Sequence, residues 1–236
     1  MGGGALIQKA IYTFLQPVSG NCVYCFRMLR TLELPLNTLP KSESLPDSEA
    51  QWLVQAKQGD SQGFSKLVDA YQRPVYNLCY RMLGNAEDAE DAAQETFLRA
   101  YKALRRYDDN RPFATWLLSI AAHYCIDQLR RKNPAVKSID EMIVPDIPDP
   151  APDMDSRLSR KQEQQRMRAL LETLDPTDRA AVVMYYWYDY SYDEICQELG
   201  LTLSAVKSRL HRARKAMAER WNEMQTMPVT IEGRQI

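Results

Sequence analysis

The chain is short of glycine. None of its nine glycines builds a Gly-rich phosphate loop, which removes the P-loop and dinucleotide-binding classes. Only two histidines occur, His123 and His211, and neither sits in a recognisable ligand set. No Ser-His-Asp arrangement, paired carboxylates or H-E-x-x-H pattern appears, so neither a catalytic site nor a bound metal or cofactor is expected. Five cysteines are an odd number in a chain of 236 residues. A chain of that size does not need staples, and a disulfide framework is not expected. No apolar run approaches the roughly 20 residues that span a bilayer. Charge of one sign is also missing: 30 basic residues face 31 acidic ones, a net of −1. That excludes a uniformly basic nucleic-acid binder and leaves local patches open. What remains, 45% apolar and 26% charged, is the composition of a globular protein, here rich in helix formers and expected in the cytoplasm.

Charge and proline divide the chain. Residues 47–133 carry 12 basic and 12 acidic residues. Residues 134–158 hold 2 basic and 6 acidic residues together with Pro134, Pro145, Pro148, Pro150 and Pro152. Repeated prolines remove donors and disfavour helix before them, so this stretch reads as an extended acidic linker. Helical patterning returns over residues 159–221, where residues 201–220 contain six basic side chains opposed by Glu219 alone. The fold class expected is all-α, two small helical domains on an acidic, proline-rich tether. Residues 1–46 and 222–236 read as tails. Cys22 and Cys25 form a lone C-x-x-C with no second pair, short of the four ligands of a structural zinc site.

In the first block, Phe64, Leu67, Val68, Tyr71, Val75, Leu78, Cys79 and Met82 step by three and four along one helix. Pro74 should kink or divide it. Gly84 suits a left-handed stop, and Asn85 an N-cap with Asp88 at N3. The next helix, from Ala86 to about Leu104, has an apolar face of Ala89, Ala93, Phe97, Ala100 and Leu104. Glu87, Asp88, Asp91, Gln94 and Glu95 crowd the other side. Acid near a helix N-terminus complements the macrodipole; the same face can also dock a basic partner. After a polar loop, Pro112 opens a helix whose one side carries Trp116, His123, Asp127, Arg130 and Arg131. Aromatics beside arginines suit single-stranded nucleic acid, by stacking and by holding phosphates. They equally suit a core tryptophan and a solvated helix end.

In the second block, Asp175 caps a helix with Pro176 at N1, and Ser191 with Glu194 forms a capping box. The helix over residues 192–199 ends at Gly200, and Thr202 caps the last one. Two helices across a tight glycine turn read as helix-turn-helix. The last helix has a buried stripe of Val206, Leu210, Ala213 and Met217. Ser204, Lys207, Ser208, His211, Arg212 and Lys215 line its other face, where each can donate to phosphates or base edges.

Assembled, residues 49–221 resemble bacterial RNA polymerase sigma factors of the extracytoplasmic-function (ECF) group. The stretches GDSQGFSKLVDAYQRPVYNLCYRMLGN, DAEDAAQETFLRAYKAL, FATWLLSIAAHYCIDQLRRK and YSYDEICQELGLTLSAVKSRLHRARKAM carry the resemblance. It implies a σ2-like helical bundle over 47–133 and a σ4-like helix-turn-helix domain over 159–221. It also implies docking of Asp88, Asp91, Gln94, Glu95 and Phe97 on the β′ clamp helices of core RNA polymerase, with the β subunit as a further contact. Promoter DNA would be single-stranded at the −10 element and double-stranded at −35. The −10 set would be Asp108, Asp109, Asn110 and Arg111 as the base-capturing loop, with Phe113, Trp116, His123, Arg130 and Arg131. His123 stands where the family often has Asn. The −35 set would be Ser204, Lys207, Ser208, Arg209, His211 and Arg212. The acidic linker would thread the polymerase cleft, and an anti-sigma factor clamping both domains is a partner of the class. Two rivals stay in view. An operator-binding regulator would leave the acidic face without a purpose; a nuclease or recombinase would need clustered carboxylates for metal.

Overall fold

The computed structural model describes residues 46–132 and 154–226. The N-terminal extension with Cys22 and Cys25, most of the acidic linker and the end of the C-terminal tail lie outside them. Among the described residues every regular element is helical. In the first block these are α1 (Pro46–Lys57), α2 (Ser61–Leu83), α3 (Ala86–Ala103), a 3₁₀ turn (Leu104–Arg106) and α4 (Phe113–Arg131). In the second they are α5 (Met154–Glu172), α6 (Pro176–Trp187), α7 (Tyr192–Leu199) and α8 (Leu203–Thr226).

The helix ends follow from local chemistry. Asp60 accepts the Gln62 amide to start α2, and Gly84 stops it at φ 84°, a conformation that costs glycine little. The Asn85 side chain takes the Asp88 amide at 2.7 Å, as the cap of α3 requires. Asp175 caps α6 with Pro176 behind it, and the Ser191–Glu194 box opens α7 reciprocally. Gly200, at φ 63°, sets the turn into α8, where Thr202 Oγ1 accepts the Ala205 amide at 3.2 Å.

Four boundaries differ from expectation. α2 runs undivided through Pro74; tertiary packing of buried Tyr71, Val75 and Leu78 on both sides of the ring outweighs the lost backbone bond. Pro112 occupies the N-cap of α4 rather than its first turn. α5 starts at Met154, so the final five residues of the expected linker are helical, and α8 continues past residue 221 to Thr226. On α3 the buried positions are Ala89, Ala92, Thr96 and Ala100. Ala93 and Phe97 are half-buried beside them.

α2 is the mast of the first block, with α1, α3 and α4 laid against it. α1 approaches closely at Gly63, where a Cβ would stand 2.6 Å from Gln55 Cβ and 2.8 Å from the Trp52 carbonyl; only glycine fits without displacing α1. The side chains of Leu67, Leu78, Met82, Leu117 and Leu118 are fully buried between these helices. Each such burial contributes about 1.5–3 kcal/mol.

The two blocks share a continuous core. The Tyr188 hydroxyl donates to the Pro74 carbonyl at 2.7 Å, and Arg179 Nη1 donates to the Met82 carbonyl at the end of α2 at 2.5 Å. Tyr190 reaches the Thr115 carbonyl at 3.4 Å. The aromatic run 185–192 thus serves packing, and burial pushes the Tyr188 and Tyr190 hydroxyls up in pKa. Arg179 keeps one buried nitrogen, Nε, without a partner, and burial lowers its pKa. Cys79 and Cys125 are buried side by side as small apolar groups. Their mutual hydrogen bond, then burial, push the Cys125 thiol up and keep it unreactive.

Candidate nucleic-acid interface

The acidic face of α3 separates into two kinds of residue. Asp88 is engaged within the molecule by Asn85 and by Lys132 across the block. Burial raises its pKa, but these hydrogen bonds and the Lys132 charge outweigh that and hold the carboxyl below its ordinary range. Glu95 pairs with Arg99 at 2.7 Å. Asp91 and Gln94 face solvent, and Phe97 lies half-buried beside them. Leu98 and Tyr101, both exposed, continue the line Asp91–Gln94–Leu98 at helical spacing. Sequence reasoning missed this apolar end of the face, although two large apolar residues out of register with Ala92, Thr96 and Ala100 were the available signal.

The loop between the 3₁₀ turn and α4 is tightly built. Asp108 Oδ1 accepts the Asn110 backbone amide at 3.0 Å and its side-chain amide at 2.9 Å, and these bonds lower the Asp108 pKa. The Arg111 amide returns to the Asp108 carbonyl at 3.1 Å, and the Tyr107 hydroxyl donates to the Arg111 carbonyl. Beneath lies an aromatic platform. Phe113 is buried, with its ring 5.4 Å from Tyr71, 5.6 Å from Tyr107 and 5.6 Å from Trp116. Asp108, Asp109 and Asn110 are exposed on the loop rim and Trp116 is half-buried beside it. Phe113 supports the loop from below.

Along α4, His123, Arg130 and Arg131 are exposed on the same side as Trp116. His123 Nδ1 contacts the Ser119 carbonyl at 2.8 Å; a carbonyl only accepts, so Nδ1 carries the proton. Arg130 also reaches the Thr177 hydroxyl of the second block at 3.2 Å. Arg111 is paired with Glu198, a buried carboxylate on α7. The second block therefore covers one edge of this loop, a contact that no local pattern announced.

On α8, Val206, Leu210, Ala213 and Met217 are buried, while Ser204, Lys207, Ser208, His211 and Arg212 are exposed. Arg209 differs from them. Its Nη1 is 2.6 Å from Asp178 Oδ1 on α6, and its side chain is only 27% exposed against 60% for Arg212, which stands 3.6 Å from the same carboxylate. Arg209 ties α8 to α6. Leu203 is a large apolar side chain left exposed in the first turn of α8. Among the described residues no group of His, Cys, Asp and Glu could hold a metal ion, and no helix is long and apolar enough to cross a membrane.

Two sets of elements thus present nucleic-acid chemistry on one chain, and comparison with known proteins defines their class. The family model for Sigma-70 region 2 matches residues 67–134, and that for Sigma-70, region 4 matches residues 164–217. The chain is 34% identical over 180 residues to the ECF RNA polymerase sigma factor SigW of Bacillus subtilis, covering 73% of this chain and 96% of that one. It is 33% identical over 179 residues to the ECF sigma factor SigE of Mycolicibacterium smegmatis, covering 74% and 67%. Among solved structures, CnrH in complex with the cytosolic domain of CnrY matches with a TM-score of 0.56 at 25% identity, covering 75% of this chain and 99% of that one. The sigma factor RpoE of Bartonella quintana, solved with the anti-sigma factor NepR, shares the fold at a TM-score of 0.53 and 19% identity, covering 67% and 96%. The chain belongs to the ECF group of RNA polymerase sigma factors. It directs promoter-specific transcription initiation and is not itself an enzyme.

Proposed function

We propose that this sigma factor docks core RNA polymerase through α3, reads the −10 element with the loop 108–111 and α4, and reads the −35 element with α8. The observation that carries the reading is the two-sidedness of α8. Four apolar side chains bury one stripe, and Ser204, Lys207, Ser208, His211 and Arg212 stand exposed opposite, the arrangement a helix needs to enter a major groove. On α3, Asp91 and Gln94 with Leu98 and Tyr101 offer charge and an apolar anchor to the β′ clamp helices. At the −10 element a base leaves the stack at a cost of a few kcal/mol, offset by stacking near Trp116 and hydrogen bonds from the loop rim. The protein works in the cytoplasm with polymerase, and an anti-sigma factor spanning both blocks is a further partner.

The two elements are about 25 base pairs apart, about 85 Å of B-DNA. Blocks that share a core cannot lie on both at once, so promoter reading requires the bonds from Tyr188, Arg179 and Glu198 to part. The 21 residues between 132 and 154 reach at most about 75 Å, which accommodates the separation once the dimensions of the two blocks are added.

Run-off transcription on a genomic promoter library, with purified core polymerase and with or without the protein, tests the reading. Specific transcripts dependent on the protein, sharing two elements at this spacing, support it. Tight binding to a defined operator without polymerase, and no such transcripts, would replace it with the operator-binding regulator.

A further inference from the structure

We infer that Lys57, in the last turn of α1, is a positioning residue for the −10 reading loop. The inference rests on the assignment of that loop in the preceding section. Lys57 lies ahead of the segment matched by the region 2 family model, and its neighbours in sequence show no pattern that marks it out. Its Nζ stands 2.7 Å from each carboxylate oxygen of Asp109 and 3.1 Å from the Tyr107 carbonyl. These three oxygens match the three protons of an ammonium. The same group sits 5.1 Å from the centroid of the Tyr107 ring.

A lysine at a helix C-terminus has a simpler explanation, which is to complement the macrodipole. Such a lysine stays over its own final carbonyls. Lys57 instead reaches across 52 positions in sequence, to a loop whose rim residues Asp108 and Asn110 otherwise bond to each other and whose far end is held by the Arg111–Glu198 pair. Its side chain is 23% exposed, while Asp109 at the rim is 71% exposed. The cation is therefore the seated partner and the carboxylate the presented one.

α1 reaches the platform below the loop a second time. Glu49 Oε2 accepts the Tyr71 hydroxyl at 2.5 Å, and the Tyr71 ring packs edge-on against Phe113. Gly63 allows α1 to lie close enough for both contacts. Two consequences follow for DNA. The Asp109 charge is neutralised where a phosphate backbone must pass. Its oxygens are also fixed in direction, with lone pairs left to accept from an exocyclic amino group of an extruded base. Without Lys57 the rim would carry an uncompensated, swinging carboxylate.

The test is reconstituted transcription with core polymerase on two promoter libraries, one randomised at −10 and one at −35, using the full-length chain, Lys57→Met and Lys57→Arg. Lys57→Met is expected to lower selectivity among −10 bases roughly 3- to 10-fold, the size of one partly buried, charge-assisted contact. Selectivity at −35 and the urea midpoint should stay near wild type, and Lys57→Arg should recover most of the loss. Asp109→Asn, which breaks the ion pair from the exposed side, should reproduce the altered −10 preference if Lys57→Met folds poorly. Unchanged −10 selectivity in Lys57→Met and Asp109→Asn, or −10 and −35 selectivity falling together, would overturn the role of Lys57 alone. Absence of any −10 preference in the wild-type protein would instead overturn the loop assignment, and the inference with it.

Discussion

Arg209 and Arg212 are one turn apart on the same basic helix, and the structure gives them different work. Arg209 donates at 2.6 Å to Asp178, whose side chain is 10% exposed, and stands 3.8 Å from Asp175. Exposed ion pairs contribute about 0.2–1 kcal/mol, and removing one partner of a fully buried pair costs about 3–5 kcal/mol. With one partner mostly buried and the other about a quarter exposed, Arg209→Ala should cost about 2 kcal/mol. That is a substantial part of the 5–15 kcal/mol that holds a typical domain together. Arg212, mostly exposed and 3.6 Å from Asp178, should cost about 0.5 kcal/mol or less. Its loss should appear on DNA, as about 1–3 kcal/mol of discrimination at one −35 position if it contacts a base edge in a bidentate manner. Urea unfolding followed by circular dichroism gives the first pair of numbers, and transcription from −35 variants gives the second. Arg209→Ala leaving stability intact while relaxing −35 selectivity would refute the division. So would Arg212→Ala weakening every promoter equally, which would make it a phosphate contact.

Asp91→Lys should impair association with core polymerase while leaving the unfolding curve in place, since Asp91 is exposed on α3; unchanged association in a pull-down would remove this face from docking. Glu198→Gln takes the charge from the buried partner of Arg111. It should loosen the two blocks and raise protease cleavage between residues 132 and 154, and cleavage at the wild-type rate would show the pair contributes nothing to closure. Tyr107 is pushed up to about 12 by burial first and then by the nearby Asp109 and Glu49 charges. Because an unfolded tyrosine ionises near 10, its stabilising contribution is complete below about pH 10 and is lost as pH rises to about 12. Absorbance at 295 nm should lose one tyrosine's share of its late amplitude in Tyr107→Phe, and a loss taken from the step near 10 instead would contradict the burial argument.

What could be read from the sequence is what acts within about four residues. The Ser191–Glu194 box, Asp175 before Pro176, Asn85 with Asp88 and the glycine stops each bond to a partner one helical turn away. The two faces of α8 follow from the same periodicity. The features that escaped are those whose partner lies elsewhere in the chain. Tyr188 meets Pro74 across 114 positions and Arg179 meets Met82 across 97, and no helical wheel contains either pair. Arg209 borders the buried stripe on its own helix, and the resemblance alone put it in the −35 set; its partner, Asp178 on α6, lies 31 positions away, beyond any local pattern. Lys57 had no local signature because its only distinction is the loop it touches. Pro74 does not divide α2 for a related reason: proline's cost is local, but the burial holding both halves of α2 together is supplied by helices from both blocks. A sequence of this kind therefore exposes the surfaces proposed to meet DNA, whose chemistry repeats along single helices. It hides the long-range contacts that hold those helices against the rest of the chain, such as Tyr188 on Pro74 and Glu198 on Arg111.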